Sequence, residues 1–228
     1  MEHIILLHGA VGDKEQFAKS VILDLVEHTV HGLNFCGHGG VAFPTGDFSI
    51  EGFAKEVIDF MNEHKIDRAN MFGYSMGGYV GMYFAVHYPD KINRLITLGT
   101  KFKWDAVVAE KEVQLLNAEK IAKKLPAFAA VLQKRHAPND WKIVLKKTAD
   151  MLIAMGNNNP IKMEEYSQIR QPVLLMLGDR DKMVSLEETL AIYHQLPNAQ
   201  LSILPNTPHP IEMVNAERLV FEIRSLIK

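Results

Sequence analysis

A serine with glycine two residues to either side, Gly73-Tyr74-Ser75-Met76-Gly77, stands where an apolar run at 69–72 gives way to a helix-like segment from 78 to 88. At a strand-to-helix junction this spacing has a physical reason. The two backbones pass so close that only small residues fit beside a serine whose hydroxyl projects from a strained turn. Such a hydroxyl is a poor nucleophile until a base takes its proton, and the base needs a carboxylate to fix its tautomer and stabilise its cation. Two later loops carry those groups in the order serine, acid, histidine. After the apolar run 173–177 comes Gly178-Asp179-Arg180-Asp181-Lys182-Met183-Val184, which offers two carboxylates, and after 201–204 comes Pro205-Asn206-Thr207-Pro208-His209-Pro210. The chemistry these residue types perform together is acyl transfer through a covalent acyl-serine.

The elements that must position them are legible in outline. Apolar runs of strand length recur at 4–7, 69–72, 95–98, 173–177 and 201–204. They lack polar alternation, as strands covered on both faces do. Ile50, Phe53, Ala54, Val57, Ile58 and Met61 follow helical spacing behind the N-cap candidate Ser49. Ser185 with Glu188 reads as a capping box opening another helix. Ala216, Leu219, Val220, Ile223 and Ile227 form a stripe on a terminal helix that Pro210 is placed to begin. Strands alternating with helices predict an α/β fold with a mainly parallel sheet.

Residues 101–165 interrupt that rhythm. They hold no strand candidate, and they carry 12 Lys/Arg against 8 Asp/Glu, whereas the rest of the chain carries 13 against 19. A helical insertion with a solvated basic face is expected, closed by the loop Gly156-Asn157-Asn158-Asn159-Pro160. The chain as a whole, with 228 residues and a formal charge of -2, has no strong field to recruit nucleic acid or a membrane. Cys36 is its only cysteine, so an intrachain disulfide is impossible. The opening Met1-Glu2-His3 is not a basic leader, and the run that follows is too short for a signal core. A soluble, cytoplasmic protein acting on a small molecule is expected. No metal pattern such as H-E-x-x-H occurs, and no cofactor is expected.

Taken together, these motifs resemble the α/β-hydrolase superfamily from end to end. On that resemblance Ser75 matches the nucleophile, and Asp181 matches the acid of a G-x-x-D-x-x-V pattern with Gly178 and Val184 in register. His209 matches the general base. His8-Gly9-Ala10-Val11-Gly12 matches the oxyanion loop, which implies the backbone N–H groups of Ala10 and Met76 as oxyanion donors, with His8 bracing the loop. Asp179 is the nearest rival for the acid. Asp105 lies where some members of the superfamily place theirs. Asn34-Phe35-Cys36-Gly37-His38-Gly39 resembles a D-x-x-G-H-G turn after the second strand, with Asn34 in place of the aspartate. The usual leading β-hairpin is missing, so the resemblance implies a sheet of about six strands. It also implies residues 1–100 and 166–228 as the core and 101–165 as a helical cap. Trp104, Phe128, Trp141, Met151, Met155 and Met163 are candidates to line the pocket under it, with Lys101, Phe102 and Lys103 at its mouth.

Three functions are compatible with these residues. The first is hydrolysis of a carboxylic ester or thioester through a Ser75–His209–Asp181 triad. The second uses the same triad for C–C bond hydrolysis or a related lyase reaction on a carboxylated substrate, which a basic cap would suit. The third is a ligand receptor that keeps the fold. Haloalkane dehalogenases and epoxide hydrolases use a carboxylate nucleophile, which Ser75 at the elbow disfavours.

Overall fold

Among the residues described by the computed structural model, 1–17, 25 and 27–227, six strands form one sheet. They are β1 (His3–Leu7), β2 (Thr29–Leu33), β3 (Ala69–Tyr74), β4 (Ile92–Leu98), β5 (Val173–Gly178) and β6 (Ala199–Leu204). All pair in parallel, in the order β2-β1-β3-β4-β5-β6. Strand order reverses between β1 and β3. In open α/β sheets such a reversal leaves a crevice outside the carboxyl ends of the strands, where ligands bind. The loops after β1 and β3 are the ones the sequence marks for chemistry.

The helices α1 (Ile50–Glu63) and α2 (Met76–His87) precede β4. Four more follow it before β5: α3 (Ala106–Val113), α4 (Ala118–Lys124), α5 (Pro126–His136) and α6 (Trp141–Asn157). The last two are α7 (Leu186–Gln195) and α8 (Ala216–Ile227). Ser49 Oγ accepts from Gly52 N at 3.0 Å at the head of α1. Ser185 and Glu188 bond each other's backbone N–H groups at the head of α7. The terminal helix begins later than its stripe suggested. Pro210 opens a short 3-10 turn, Ile211–Met213, and Asn215 Oδ1 caps α8 by accepting from Arg218 N at 2.8 Å. That turn buries Ile211 in the core.

The sheet is covered on both faces, which explains the unbroken apolar runs. Ile5, Leu7, Met71 and Leu175 pack with Phe53, Val57, Tyr79 and Val80 of α1 and α2. Their strand neighbours Ile4, Leu6, Phe72, Leu174 and Met176 pack with Leu219, Val220 and Ile223 of α8. Every residue of β3 and β5 is buried. β2 was absent from the apolar runs because it is an edge strand, where four of five residues are only half-buried. No described helix is long and apolar enough to cross a membrane.

At its first turn helix α2 meets the sheet with no side chain between the backbones. A Cβ on Gly77 would lie 2.0 Å from the Leu7 carbonyl oxygen, and one on Gly73 would lie 2.5 Å from the Gly77 backbone. These contacts are backbone on backbone and cannot be relieved by a rotamer. Gly77→Ala is therefore expected to cost about 3 kcal/mol or more in urea unfolding. Gly46→Ala is the control: its added carbon meets no heavy atom within 4 Å. It should shift stability by less than about 0.5 kcal/mol.

Candidate active site

Ser75 sits between β3 and α2 with φ 51° and ψ -116°, a backbone conformation that costs a non-glycine residue on the order of 1–3 kcal/mol. Hydrogen bonds hold it there. Ser75 N donates to Leu98 O at 2.9 Å, and the Ser75 carbonyl accepts from Gly78 N at 3.0 Å and from Thr100 Oγ1 at 3.2 Å. Ser75, Met76, Ala10 and His209 all line one cavity of about 80 Å³ at the carboxyl ends of the strands.

The candidate acid and base come from the loops after β5 and β6. Asp181 Oδ2 lies 2.7 Å from His209 Nδ1, with the carboxylate almost fully buried. Its Oδ1 accepts from Met183 N at 2.8 Å and Val184 N at 2.9 Å. Burial pushes the Asp181 carboxyl up, but the His209 ring and these two amides together outweigh it and hold the carboxyl below its ordinary range. In the tautomer that donates Nδ1–H to Asp181, Nε2 is the ring nitrogen left able to accept a proton. Asp179 turns elsewhere: its Oδ1 accepts from Thr207 N at 3.1 Å and ties the two loops together. Asp105 caps α3 through Val108 N at 2.8 Å.

Two residues in this arrangement were not singled out from the sequence. Gly99, at φ 58°, ends β4 directly beneath the pair; a Cβ there would lie 3.2 Å from Asp181 Oδ2 and 3.3 Å from His209 Nδ1. Tyr74 Oη donates to His209 O at 3.1 Å and anchors the main chain of the base. A glycine just past a buried strand was the only available signal for the first. The second had none, because a tyrosine beside the serine is also ordinary core.

The loop after β1 is held from behind. His8 is fully buried; its Nδ1 bonds Gly9 O at 2.8 Å and its Nε2 accepts from Phe35 N at 3.2 Å. Gly12 N closes the turn onto Gly9 O at 3.1 Å. In a trans peptide the N–H points away from the carbonyl, so fixing Gly9 O fixes the direction of Ala10 N–H. Met76 is the first residue of α2, where N–H groups lack an acceptor one turn back and the helix dipole favours negative charge. Asn34 Oδ1 accepts from Lys14 N at 2.6 Å while its Nδ2 donates to Gly39 O at 3.3 Å. An aspartate could make the first bond but not donate the second.

The cavity wall is apolar: Ile50, Tyr79, Trp104, Leu152, Met155 and Val184 contribute. Of the residues expected to line it from the insertion, Trp104 and Met155 do. Met151 and Trp141 are buried in packing, Phe128 faces solvent, and Met163 lines a separate cleft. At the mouth, Lys101 lines the cavity, Phe102 is buried and Lys103 is exposed. Lys101 Nζ lies 3.5 Å from Glu112 and 3.8 Å from Glu188, so its charge is matched by two largely buried carboxylates. No group of three or more His, Cys, Asp or Glu among the described residues could hold a metal ion.

His8, His38 and His136 form a buried cluster behind the site, with ring centroids 5.1 and 5.7 Å apart. Burial brings both His8 and His136 down to about 4, and pushes His38 down as well. The folded protein thus binds fewer protons than the unfolded chain between pH 4 and 6.5. The contribution of these histidines to stability is complete above pH 6.5 and is lost as pH falls, by up to about 1.4 kcal/mol per pH unit for each histidine. Asp13 and Glu56, whose carboxyls burial pushes up, oppose this. Urea midpoints between pH 7.5 and 5.5 should fall accordingly. His136→Gln, which keeps a donor and an acceptor but does not titrate, should flatten the slope.

Known proteins place this geometry in a family. Residues 2–140 match the model of the alpha/beta hydrolase fold. Over 178 residues the chain is 29% identical to a probable alcohol acetyltransferase of Wickerhamomyces anomalus, covering 70% of this chain and 48% of that protein, so it spans about half of that relative's length. It is 19% identical to the (E)-2-((N-methylformamido)methylene)succinate hydrolase of Acinetobacter baylyi, over 96% of this chain and 87% of the relative. A thermophilic esterase from Thermogutta terrifontis superposes with a TM-score of 0.80 at 22% identity, covering 100% of this chain and 89% of the other; at that identity the likeness shows the fold. A match over more than half of the chain, on a six-stranded parallel sheet with its serine elbow after the third strand, shows that the chain belongs to the α/β-hydrolase family.

Proposed function

We propose that this protein is a serine hydrolase that cleaves short-chain carboxylic esters or thioesters, with residues 101–165 as a cap over the site. The observation that carries the reading is the His209–Asp181 pair at 2.7 Å, with His209 on the wall of the same cavity as Ser75. Ser75 Oγ attacks the acyl carbonyl as its proton passes to His209 Nε2. The negative charge that develops on the carbonyl oxygen is bound by Ala10 N–H and Met76 N–H, donors already fixed in place before reaction. His209 then gives the proton to the leaving alcohol or thiol. A water deprotonated by His209 attacks the acyl-serine, and the acid is released as Ser75 recovers its proton.

Size and polarity of the cavity support the substrate class. At about 80 Å³ it is little more than half the ~150 Å³ that encloses a benzene ring, so it suits an acyl group of a few carbons. Lys101 is the one lysine or arginine among the described lining residues, and its two carboxylate partners leave no spare positive charge for an anionic substrate. C–C cleavage of a carboxylated substrate has less support for that reason.

A panel of nitrophenyl esters tests the proposal. Acetate and butyrate should turn over, with kcat/KM at least about tenfold above octanoate, since each methylene outside a fitted pocket forfeits roughly 1 kcal/mol or more. Ser75→Ala should lower kcat by about 10⁴-fold or more, and Asp181→Asn by about 10⁴-fold through the wrong imidazole tautomer. Turnover that survives Ser75→Ala, or none on any chain length, would refute the assignment.

A further inference from the structure

The loop after β1 contains a residue that should not be comfortable there. Val11 has φ 50°, and for a β-branched side chain that conformation is a genuine outlier. It occupies the third position of a turn closed by Gly12 N on Gly9 O, where glycine or asparagine is the usual choice. The main core and the insertion both pack against it. The Val11 side chain packs against Ile121, Leu132, Trp141 and Leu145 of α4, α5 and α6. Its carbonyl accepts from Arg135 Nη1 at 3.1 Å and bonds His136 Nε2 at the same distance. His136 Nδ1 in turn accepts from Gly39 N at 3.3 Å, which assigns the ring as a neutral tautomer donating to Val11.

Arg135 does more than hold one carbonyl. Its Nε lies 3.7 Å from Asp13, on the far side of the same loop, and its Nη2 lies 3.7 Å from Glu212, three residues beyond His209. Gln16 Nε2 also reaches Glu212, at 3.3 Å. One largely buried guanidinium therefore touches three segments: its own helix α5, the loop that carries Ala10, and the loop that carries His209. It does not line the cavity, so it is no substrate ligand. A planar fork with several fixed donors can join separate segments in this way, which an ammonium cannot.

We infer that Arg135, with His136, is a positioning residue that holds the Ala10 N–H and the His209 loop in register, so that catalysis requires α5 to be docked. The inference rests on the roles given above to Ala10 and His209. A donor displaced by a fraction of an ångström no longer meets the oxyanion, while the apolar wall of the pocket, from Ile50, Tyr79, Trp104, Leu152, Met155 and Val184, comes from other segments. The signature is a loss in kcat and in affinity for an oxyanion mimic, with KM preserved.

The test compares wild type with Arg135→Gln and Arg135→Lys in the full chain, each required to unfold cooperatively. For nitrophenyl acetate, Arg135→Gln should lower kcat about 10–100-fold with KM within about threefold. Affinity for phenylboronic acid, whose adduct with serine mimics the tetrahedral intermediate, should fall by a similar factor. Arg135→Lys keeps the charge near Asp13 and Glu212 but not the fork, so its loss should be intermediate; it also serves if the glutamine variant does not fold. Hydrogen exchange gives a reading independent of turnover: amides of segments 9–13 and 209–213 should lose protection together in Arg135→Gln. Unchanged kcat and boronate affinity, or unchanged exchange in those two segments, would overturn the inference. If wild type hydrolyses no ester, the hydrolase reading fails, and the exchange result alone decides whether Arg135 couples the loops.

Discussion

The close approach of α2 to β1 and β3 is the constraint on which the rest of the site depends. Gly73 and Gly77 leave no Cβ between backbones, and the carbonyl of Leu7 occupies the space that an alanine at 77 would need. That contact places Ser75 at a positive φ, aims its side chain out of the sheet, and brings the first N–H of α2 beside the loop leaving β1. Because β1 and β3 flank the point where strand order reverses, Ser75 and the loop that carries Ala10 share one crevice. Asp181 and His209 then need only arrive from the loops after β5 and β6. Gly99 at the end of β4 leaves room for them to meet over it.

Polar groups around this centre are arranged to remain fixed rather than to move. His8, His38 and His136 lie buried and neutral, and each bonds a backbone carbonyl of a loop bordering the site. A neutral imidazole can donate on one side and accept on the other, so it can bridge two strands of main chain without bringing a charge into the core. Arg135 is the charged member of this support and is matched by Asp13 and Glu212. The helical insertion is accordingly part of the site's frame as well as part of its wall: Trp104, Leu152 and Met155 face the cavity, while α5 braces the loop from the other side.

Much of the site could be read from residue types and order. The elbow is legible because its glycines answer a local steric demand, and His209 because a histidine beside a strand end near the C-terminus has few rival uses. Asp181 against Asp179 was a matter of register, and only the hydrogen bonds separate them, one to His209 and the other to Thr207 N. The pocket lining is less legible. Trp141, Met151 and Phe128 look like Trp104 and Met155 in sequence, but helix rotation turns the first two into packing and the third into solvent. The start of α8 was misplaced because Pro210 and Asn215 both suit a helix end, and burial of Ile211 decides between them.

Residue types and spacing fix the fold class and mark the candidate elbow with the order of its candidate partners, since each rests on short-range rules: apolar runs of strand length, glycine where backbones touch, a capping residue before a stripe. Tertiary structure alone decided what the insertion does. Its positive charge reads as a solvated basic face, yet Lys101 is spent on Glu112 and Glu188, and Arg135 on Val11, Asp13 and Glu212. Those partners lie up to about 120 residues away in the chain. No local pattern encodes such distances, because they are set by how whole helices dock on the sheet.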